Sequence, residues 1–438
     1  MIDISTLSEN QIQTAIHTIL CRRTQVIEYQ DTEEAKYDLS NLQGTPQFRK
    51  LLNKNYYRYV DNLIPRVLSG VTDRLEIKEF KIVGDVEDTE EKIKDLYPLL
   101  KSINFDSLQK QVHRSALRDG ASYLVAEKVV DKVRVFVQTA DLFEVIRDEN
   151  NPNIIVGAVK IWEVEGGIRL NVYYDETVER YFANKEYLFD VKTSDFSPYT
   201  SDGAEYVQRH GFKTLPVFAF VNNPTVSYKG VSELVSILPI QKTLNTALIN
   251  LLIAAEAWAL PTRYLLGFSA EYNEDGTTKP LKIESGGTWV FGDSEIKIGQ
   301  LPAADLNNQL QVMNDLRVEM SRISGIPLHL LGLSSDYPSG ESLKVSERSL
   351  VGKIEDRQCQ FSDSWEELIA LITDLEKTVI DVEWYEPTPI SEFEESQTEK
   401  NKQETLSLSL NNLKIMMESN LFSQEEIDLV KKEILEYL

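Results

Sequence analysis

Residues 340–377 read GESLKVSERSLVGKIEDRQCQFSDSWEELIALITDLEK, a long segment with a regular apolar pattern. Its large apolar residues recur at spacings of 7, 4, 7, 4, 3, 4 and 3: Leu343, Leu350, Ile354, Phe361, Trp365, Leu368, Ile372 and Leu375. Such spacing predicts one apolar stripe along a single helix. At ~1.5 Å per residue the helix would be ~57 Å long, more than a compact domain needs. The stripe requires cover, so we expect Leu350, Ile354, Phe361 and Trp365 to contact a neighbouring subunit.

The segments before this helix predict a helical pair with a small β insertion. Pro239 can occupy the first turn of a helix that runs to about Trp258. Residues 303–323 predict a second helix, and residues 261–300 between the two contain short strands and turns. Each helix would span about 30 Å. Ring-forming proteins use a projecting hairpin of this kind to line a channel, whereas globular enzymes rarely carry one.

The first part of the chain predicts helices followed by a β meander. A helix over 105–118 should end at Gly120. Residues 122–191 then alternate or are β-branched, with Asn-Pro, Gly-Gly and Asp-Glu turns between the runs, which indicates antiparallel hairpins. The last run of the meander is 186–191, and a further strand is predicted at 215–221. Together these elements predict an α+β fold.

The charge of the chain argues against tight binding of nucleic acid. Its 438 residues include 46 basic and 70 acidic side chains, a net charge of −24. Phosphates are repelled by such a surface, so DNA is either no partner or must slide past without sticking. The longest uncharged apolar stretch, 243–255, falls short of the ~20 residues that span a bilayer, and the N-terminus lacks a secretion signal. We expect a soluble protein in a reducing compartment, because Cys21 and Cys359 form no disulfide framework.

Motifs for catalysis are absent from the sequence. It contains no phosphate-binding loop, no zinc spacing and no nucleophile elbow, so we expect no catalytic residue, no cofactor and no metal. The four histidines are scattered and are expected at the surface or satisfied in the core: His17, His113, His210 and His329. Asp381 and Glu383 share one face of a predicted strand, as in metal-dependent nucleases. In an acidic chain a solvated strand face is the simpler interpretation.

Two segments and the long helix carry a resemblance to a known family. Residues 209–234 read RHGFKTLPVFAFVNNPTVSYKGVSEL, and residues 324–342 read SGIPLHLLGLSSDYPSGES. They resemble portal proteins of tailed bacteriophages, which carry P-V-x-x-F-x-N, G-x-S-[DE]-L, G-[IV]-P-x-x-x-L-G and S-G-x-[AS]-L in this order. A long helix with K-x-x-x-x-Q-x-x-F-x-x-x-W follows in that family, and it is matched by Lys353, Gln358, Phe361 and Trp365.

The resemblance implies a domain plan and a moving loop. It divides the chain into a wing (1–230), stem helix 1 (231–260), a β-rich clip (261–300), stem helix 2 (301–324), a tunnel loop region (325–341), a long wing helix and strand (342–386), and a short helical crown (387–438). The tunnel loop would be Gly332, Leu333, Ser334, Ser335, Asp336, Tyr337, Pro338, Ser339 and Gly340. Of these, Leu333, Asp336 and Tyr337 are expected to face the channel.

The resemblance also implies an assembly and its partners. We expect a homo-oligomeric ring, commonly of twelve subunits, at one capsid vertex, built in the host cytoplasm and retained in the virion. Genomic double-stranded DNA would pass through its channel during packaging and ejection. The expected protein partners are the major capsid protein or scaffold, the terminase and a head-completion adaptor, with no membrane. The alternatives are another virion component, such as a minor head or connector protein, and a metal-dependent nuclease.

Overall fold

The computed structural model describes residues 7–36, 60–82, 89–129, 132–200, 205–259, 263–266, 274, 297–300, 306–333, 340–375 and 377–388. The chain divides into two compact units, Met1–Tyr385 and Glu386–Leu438. All helices and strands described below belong to the first unit. From residue 389 onwards the predicted crown lies outside the described residues.

The described helices follow the apolar periodicity of the sequence. They are α1 (Glu9–Glu33), α2 (Ile64–Thr72), α3 (Thr89–Ser102), α4 (Phe105–Asp119), α5 (Leu238–Ala259), α6 (Asn307–Ser324) and α7 (Gly340–Thr373). Gly120 ends α4 in the left-handed conformation at φ 90°, as its position predicts. Within the described residues, no helix combines the length and apolar composition that a membrane crossing requires.

The strands form antiparallel sheets. They are β1 (Ile77–Ile82), β2 (Ala121–Val129), β3 (Lys132–Thr139), β4 (Phe143–Arg147), β5 (Ile155–Val164), β6 (Gly167–Tyr173), β7 (Thr177–Ala183), β8 (Ser197–Pro198), β9 (Val207–Arg209), β10 (Val217–Val221), β11 (Arg263–Leu266), β12 (Lys297–Gln300) and β13 (Ile380–Trp384). The meander runs β4-β5-β6-β7-β8, with β9 also on β7, while β10-β2-β3 forms a separate sheet. β1 pairs with β13, and β11 with β12.

The strand predicted at 186–191 is wrong. This segment instead holds a short 3-10 turn, Leu188–Asp190. Leu188 is fully buried in a cluster with apolar residues of α1 and the meander. The Leu188 side chain therefore packs against the sheet although its backbone forms a turn. The β-branched and aromatic composition of the segment reflects this burial and not strand pairing.

Helix α7 lies at the centre of the largest core cluster, and this corrects the predicted interface. Leu350, Ile354, Phe361 and Trp365 are each 0% exposed within the single chain. Residues of α2, α4, β10 and β13 belong to the same cluster and supply the cover. These four side chains leave no surface for a neighbouring subunit. The stripe is buried by its own chain because α7 is sandwiched between layers, a distinction that periodicity alone cannot make.

His113 of α4 is the polar centre of this core. Its Nδ1 lies 3.1 Å from the carbonyl oxygen of Leu75, and the indole Nε1 of Trp365 donates to its Nε2 at 2.9 Å. The two bonds fit one neutral tautomer that donates at Nδ1 and accepts at Nε2. The ring also stacks on Phe361, with centroids 5.2 Å apart. Burial lowers the pKa of His113 to about 3, which makes it a satisfied core histidine.

The depressed pKa of His113 makes stability depend on pH. The unfolded chain takes up a proton at this group near pH 6.5, whereas the folded chain does so only near pH 3. Stability is therefore complete above pH 6.5 and is lost as the pH falls, by up to ~1.4 kcal/mol per pH unit. In His113→Gln we expect a lower free energy of unfolding at pH 7 and a shallower decline from pH 6.5 to 4. Urea unfolding at several pH values measures both, with exposed His17→Gln as control. Equal slopes in His113→Gln and wild type would contradict the assignment.

Candidate functional site

The turn between β10 and α5 is bound to α7 by a buried ion cluster. Glu233 in this turn accepts hydrogen bonds from Lys353 Nζ at 2.6 Å and from Arg357 Nη2 at 2.8 Å. The side chains of Glu233 and Arg357 are 8% and 3% exposed. Burial alone would raise the pKa of Glu233, but the two cations lower it on balance, so the carboxylate stays ionised. The carboxylate of the G-x-S-[DE]-L segment thus meets the lysine of the long helix.

Lys353 joins three segments of the chain. Besides Glu233, its ammonium donates to the carbonyl oxygen of Ser324 at 2.8 Å, and Ser324 is the last residue of α6. Gly325 then ends α6 in the left-handed conformation at φ 72°. Lys353 therefore binds both the turn before α5 and the end of α6, and it holds these two segments at the same point of α7.

Close backbone contact explains the glycine of this motif. A β-carbon on Gly230 would overlap the carbonyl oxygen of Gly120, so only glycine fits. The same turn is bonded through Glu233 N to the carbonyl oxygen of Leu117 at 2.9 Å. Residues 230–234 are therefore held against the end of α4 as well as against α7.

Helices α5 and α6 pack together and are joined through the β11–β12 ladder. The segment before α2 holds the pair at one end. Arg317 of α6 donates twice to Asp61, at 2.7 and 3.0 Å. Gln241 of α5 accepts from the backbone nitrogen of Leu63 at 3.0 Å and donates to the carbonyl oxygen of Asp61 at 2.5 Å. The pair is thus a projection with a polar, rigid base.

The return from α6 towards α7 is anchored up to Leu333. Ile326 is 1% exposed and lies against Gly70 of α2. Gly332 has φ 74°, a conformation that favours glycine, and its α-carbon lies beside the guanidinium of Arg66. Leu333 packs against the core and bonds through its N–H to Leu328 at 3.1 Å. Leu333 is therefore an anchor, which corrects its expected place facing the channel.

A second buried ion cluster lies where this return meets α7. Glu347 is 2% exposed and bonds Arg74 at 3.0 Å and His329 Nε2 at 2.9 Å. Burial would raise the pKa of Glu347, but Arg74 and His329 lower it overall. Two buried carboxylates on or against α7 thus fix both sides of the segment that ends at Leu333.

The sequence-predicted loop residues are divided by these anchors. Gly332 and Leu333 lie at the anchored end, and Gly340 begins α7. The residues between them, Ser334 to Ser339, lie outside the described residues. Sequence reasoning missed Glu347, Arg74 and Arg357. A usable signal was the pair of cations Lys353 and Arg357, four apart on the helix and bordering the apolar stripe.

One carboxylate of the nuclease alternative, Glu383, forms ion pairs with two lysines. Glu383 bonds Lys78 at 2.6 Å and also bonds Lys81, and these hydrogen bonds lower its pKa to about 2. Asp381 is the register partner of Lys81. Two ammonium groups at this position oppose the binding of a divalent cation, which needs uncompensated oxygen ligands. Within the described residues, no group of three or more His, Cys, Asp or Glu side chains could hold a metal ion.

The comparisons with known proteins agree on one family. A family model described as "Phage portal protein, SPP1 Gp6-like" matches residues 47–437. The portal protein of Mycobacterium phage L5 is 24% identical over 325 residues, which cover 70% of this chain and 63% of that protein. The portal protein of Mycobacterium phage D29 is 28% identical over 171 residues, covering 37% and 35%. The chain thus spans less than two thirds of the length of these relatives.

Solved structures with a similar chain come from gene transfer agent particles. A chain in the virion of the native particle has a TM-score of 0.46 and 12% identity, covering 94% of this chain and 99% of that one. A chain in the neck of the empty particle has a TM-score of 0.47 and 12% identity, covering 89% and 94%.

Removal of the Glu233 charge should destabilise the fold strongly. In Glu233→Gln, Lys353 would lose its carboxylate partner, and buried Arg357 would keep only the exposed carboxylate of Asp356. Removal of one partner of a buried ion pair typically costs ~3–5 kcal/mol. Glu319→Gln is the control, because its partner Arg322 is solvent-exposed and exposed ion pairs contribute little to stability. Urea unfolding of both variants gives the comparison. A loss in Glu233→Gln no larger than in Glu319→Gln would show that the cluster does not stabilise the fold.

Proposed function

The chain belongs to the SPP1 Gp6-like phage portal protein family, and from this we propose that it forms a closed ring at one capsid vertex. The ring is the channel for genome packaging and ejection. It binds the capsid or scaffold, the terminase and a head-completion adaptor, and it performs no catalytic step itself. Family membership favours this function over the alternatives of a minor head protein and of a metal-dependent nuclease. Twelve subunits are the expected number.

Helix α6 carries the observation that supports the ring best. Its buried residues Met313 and Met320 face α5 and the core. Large apolar residues remain exposed on both sides of this buried face: Leu310, Val312, Val318 and Ile323. At about 100° per residue, Val312 and Ile323 lie about 20° apart on one side of the buried face, whereas Leu310 and Val318 lie about 80° apart on the other side.

Two different apolar flanks fit heterologous contact. In a cyclic ring each subunit offers one surface to the preceding neighbour and another to the following one. We propose that the flank of Val312 and Ile323 packs on the flank of Leu310 and Val318 in the next subunit. The α5–α6 projections would then line the channel, as the stem does in the family's domain plan.

The loop from Gly332 to Gly340 is the proposed moving element of the channel. Its ends are fixed by the core contact of Leu333 and by the start of α7. The residues between, rich in serine with Asp336, carry no cation. An uncharged or acidic tip touches DNA without binding its phosphates, in keeping with a chain of net charge −24.

The two flanks of α6 allow a complementation test of ring closure. Val312→Glu or Val318→Glu alone should abolish rings, because each buries a charge in every interface. In a mixture of the two variants, the intact flank of one variant can pack on the intact flank of the other. The altered flanks prevent any further contact, so assembly should stop at the mass of two chains. Light scattering after size exclusion measures this, with Asn308→Glu, exposed on the same helix, as control. Full rings in either single variant would place the interface elsewhere.

The loop itself should be dispensable for assembly. When residues 334–338 are replaced by a Gly-Ser stretch of equal length, we expect intact rings by negative-stain electron microscopy and impaired DNA packaging or retention in vitro. The reason is that the anchors, Gly332 and Leu333 included, stay in place. Glu165→Ser in the exposed β5–β6 turn is the control. Missing rings would make the segment structural, and normal packaging would make it inert.

A further inference from the structure

The meander sheet carries a cationic, aromatic pocket that the proposed function does not use. One end of this face packs on the β10-β2-β3 sheet, and the other end is not covered by it. At that end the register sets Trp162 beside Arg169 and Lys160 beside Asn171. It also sets Asn171 beside Arg180. The side chains therefore share one face in two cross-strand rows.

Contacts within the chain already position the cationic side chains of this pocket. Its volume is about 200 Å³, and it is lined by Trp162, Arg169, Asn171, Arg180, Tyr181 and Tyr199. Arg169 Nη2 donates to the Tyr199 hydroxyl at 2.6 Å, and the guanidinium lies 4.2 Å from the centroid of that ring. Lys160 Nζ lies 4.9 Å from the Trp162 ring. Two cations are thus held against aromatic faces.

These cations have no counter-ion in the described part of the chain. Lys160, Arg169 and Arg180 form no ion pair with any described residue, and Arg169 Nε is buried without a hydrogen-bond partner. Burial lowers the pKa of Lys160, as expected for a desolvated cation that lacks an anion. The charged side chains that the strand registers place at this end of the face, Lys160, Arg169 and Arg180, are all positive, although the chain has a net charge of −24.

We propose that this pocket binds an aspartate or glutamate side chain on an acidic peptide segment of a partner protein. Guanidinium groups recognise carboxylates through paired hydrogen bonds. A volume of about 200 Å³ is below the roughly 300–1,000 Å³ of small-molecule pockets, so one side chain fits better than a nucleotide. The aromatic walls accept the apolar part of the neighbouring residue of that segment.

The test uses fluorescently labelled peptides and the full-length protein at low ionic strength. One peptide carries glutamates spaced by serines around a leucine, its counterpart carries glutamines instead, and a labelled DNA duplex is the third probe. We expect the glutamate peptide to bind and its affinity to fall at least ~tenfold in Arg169→Gln/Arg180→Gln. Lys160→Gln, which removes no hydrogen bond to any described residue, should weaken binding too. Trp162 emission should respond to the peptide in wild type and not in Trp162→Phe.

Arg134→Gln is the matched control, because Arg134 is an exposed cation on β3, in another sheet. Equal weakening in that variant would reduce the effect to net charge and overturn the proposal. Equal binding of the glutamine peptide, or no binding of either peptide, would do the same. Tighter binding of the duplex with the same dependence on Arg169 would mark a nucleic-acid site instead. A change in oligomer mass in the double variant without peptide would place a second copy there.

Discussion

Burial of the apolar stripe of α7 within its own chain is the constraint on which the remaining structure depends. The helix is long enough to pass α2, α4, β10 and β13, and its stripe belongs to one core cluster with all of them. Burial of large apolar side chains contributes about 1.5–3 kcal/mol each, so a stripe of this length outweighs any single polar contact. The polar groups that enter this core are consequently few and paired, as His113 is with Trp365 and Leu75.

Ion clusters at the border of the stripe convert this packing into a defined geometry. Apolar burial is non-directional and would tolerate small slips of α7. Glu233 with Lys353 and Arg357, and Glu347 with Arg74 and His329, each fix one position along the helix. Lys353 also donates to the end of α6. The base of the α5–α6 pair and the segment that follows α6 are therefore both positioned by α7.

Local sequence patterns predicted those helices and helix ends that depend only on neighbouring residues in the sequence. Periodicity gave the helices α4 to α7 within a few residues, and Gly120 marked the end of α4. Whether a stripe faces its own core or a neighbour depends on layers far away in sequence, so Leu350 and Trp365 were assigned wrongly. The pairing of β10 with β2 and the pocket around Arg169 also arise from register between distant segments. The motif order indicated the family, whereas the partners of Glu233 required the structure.

The distribution of charge agrees with the proposed passage of DNA. Many cations of this chain form ion pairs with its own carboxylates, among them Arg317 with Asp61 and Arg118 with Glu33. Internal pairing leaves the net charge of −24 to be expressed largely at the surface, where it repels phosphates over a Debye length of ~8 Å. A subunit built in this way can surround DNA without binding it. Lys160, Arg169 and Arg180 differ from these cations, because they form no ion pair within the described part of the chain although they lie together on one sheet face. This contrast is the reason for proposing that a partner supplies the anion there.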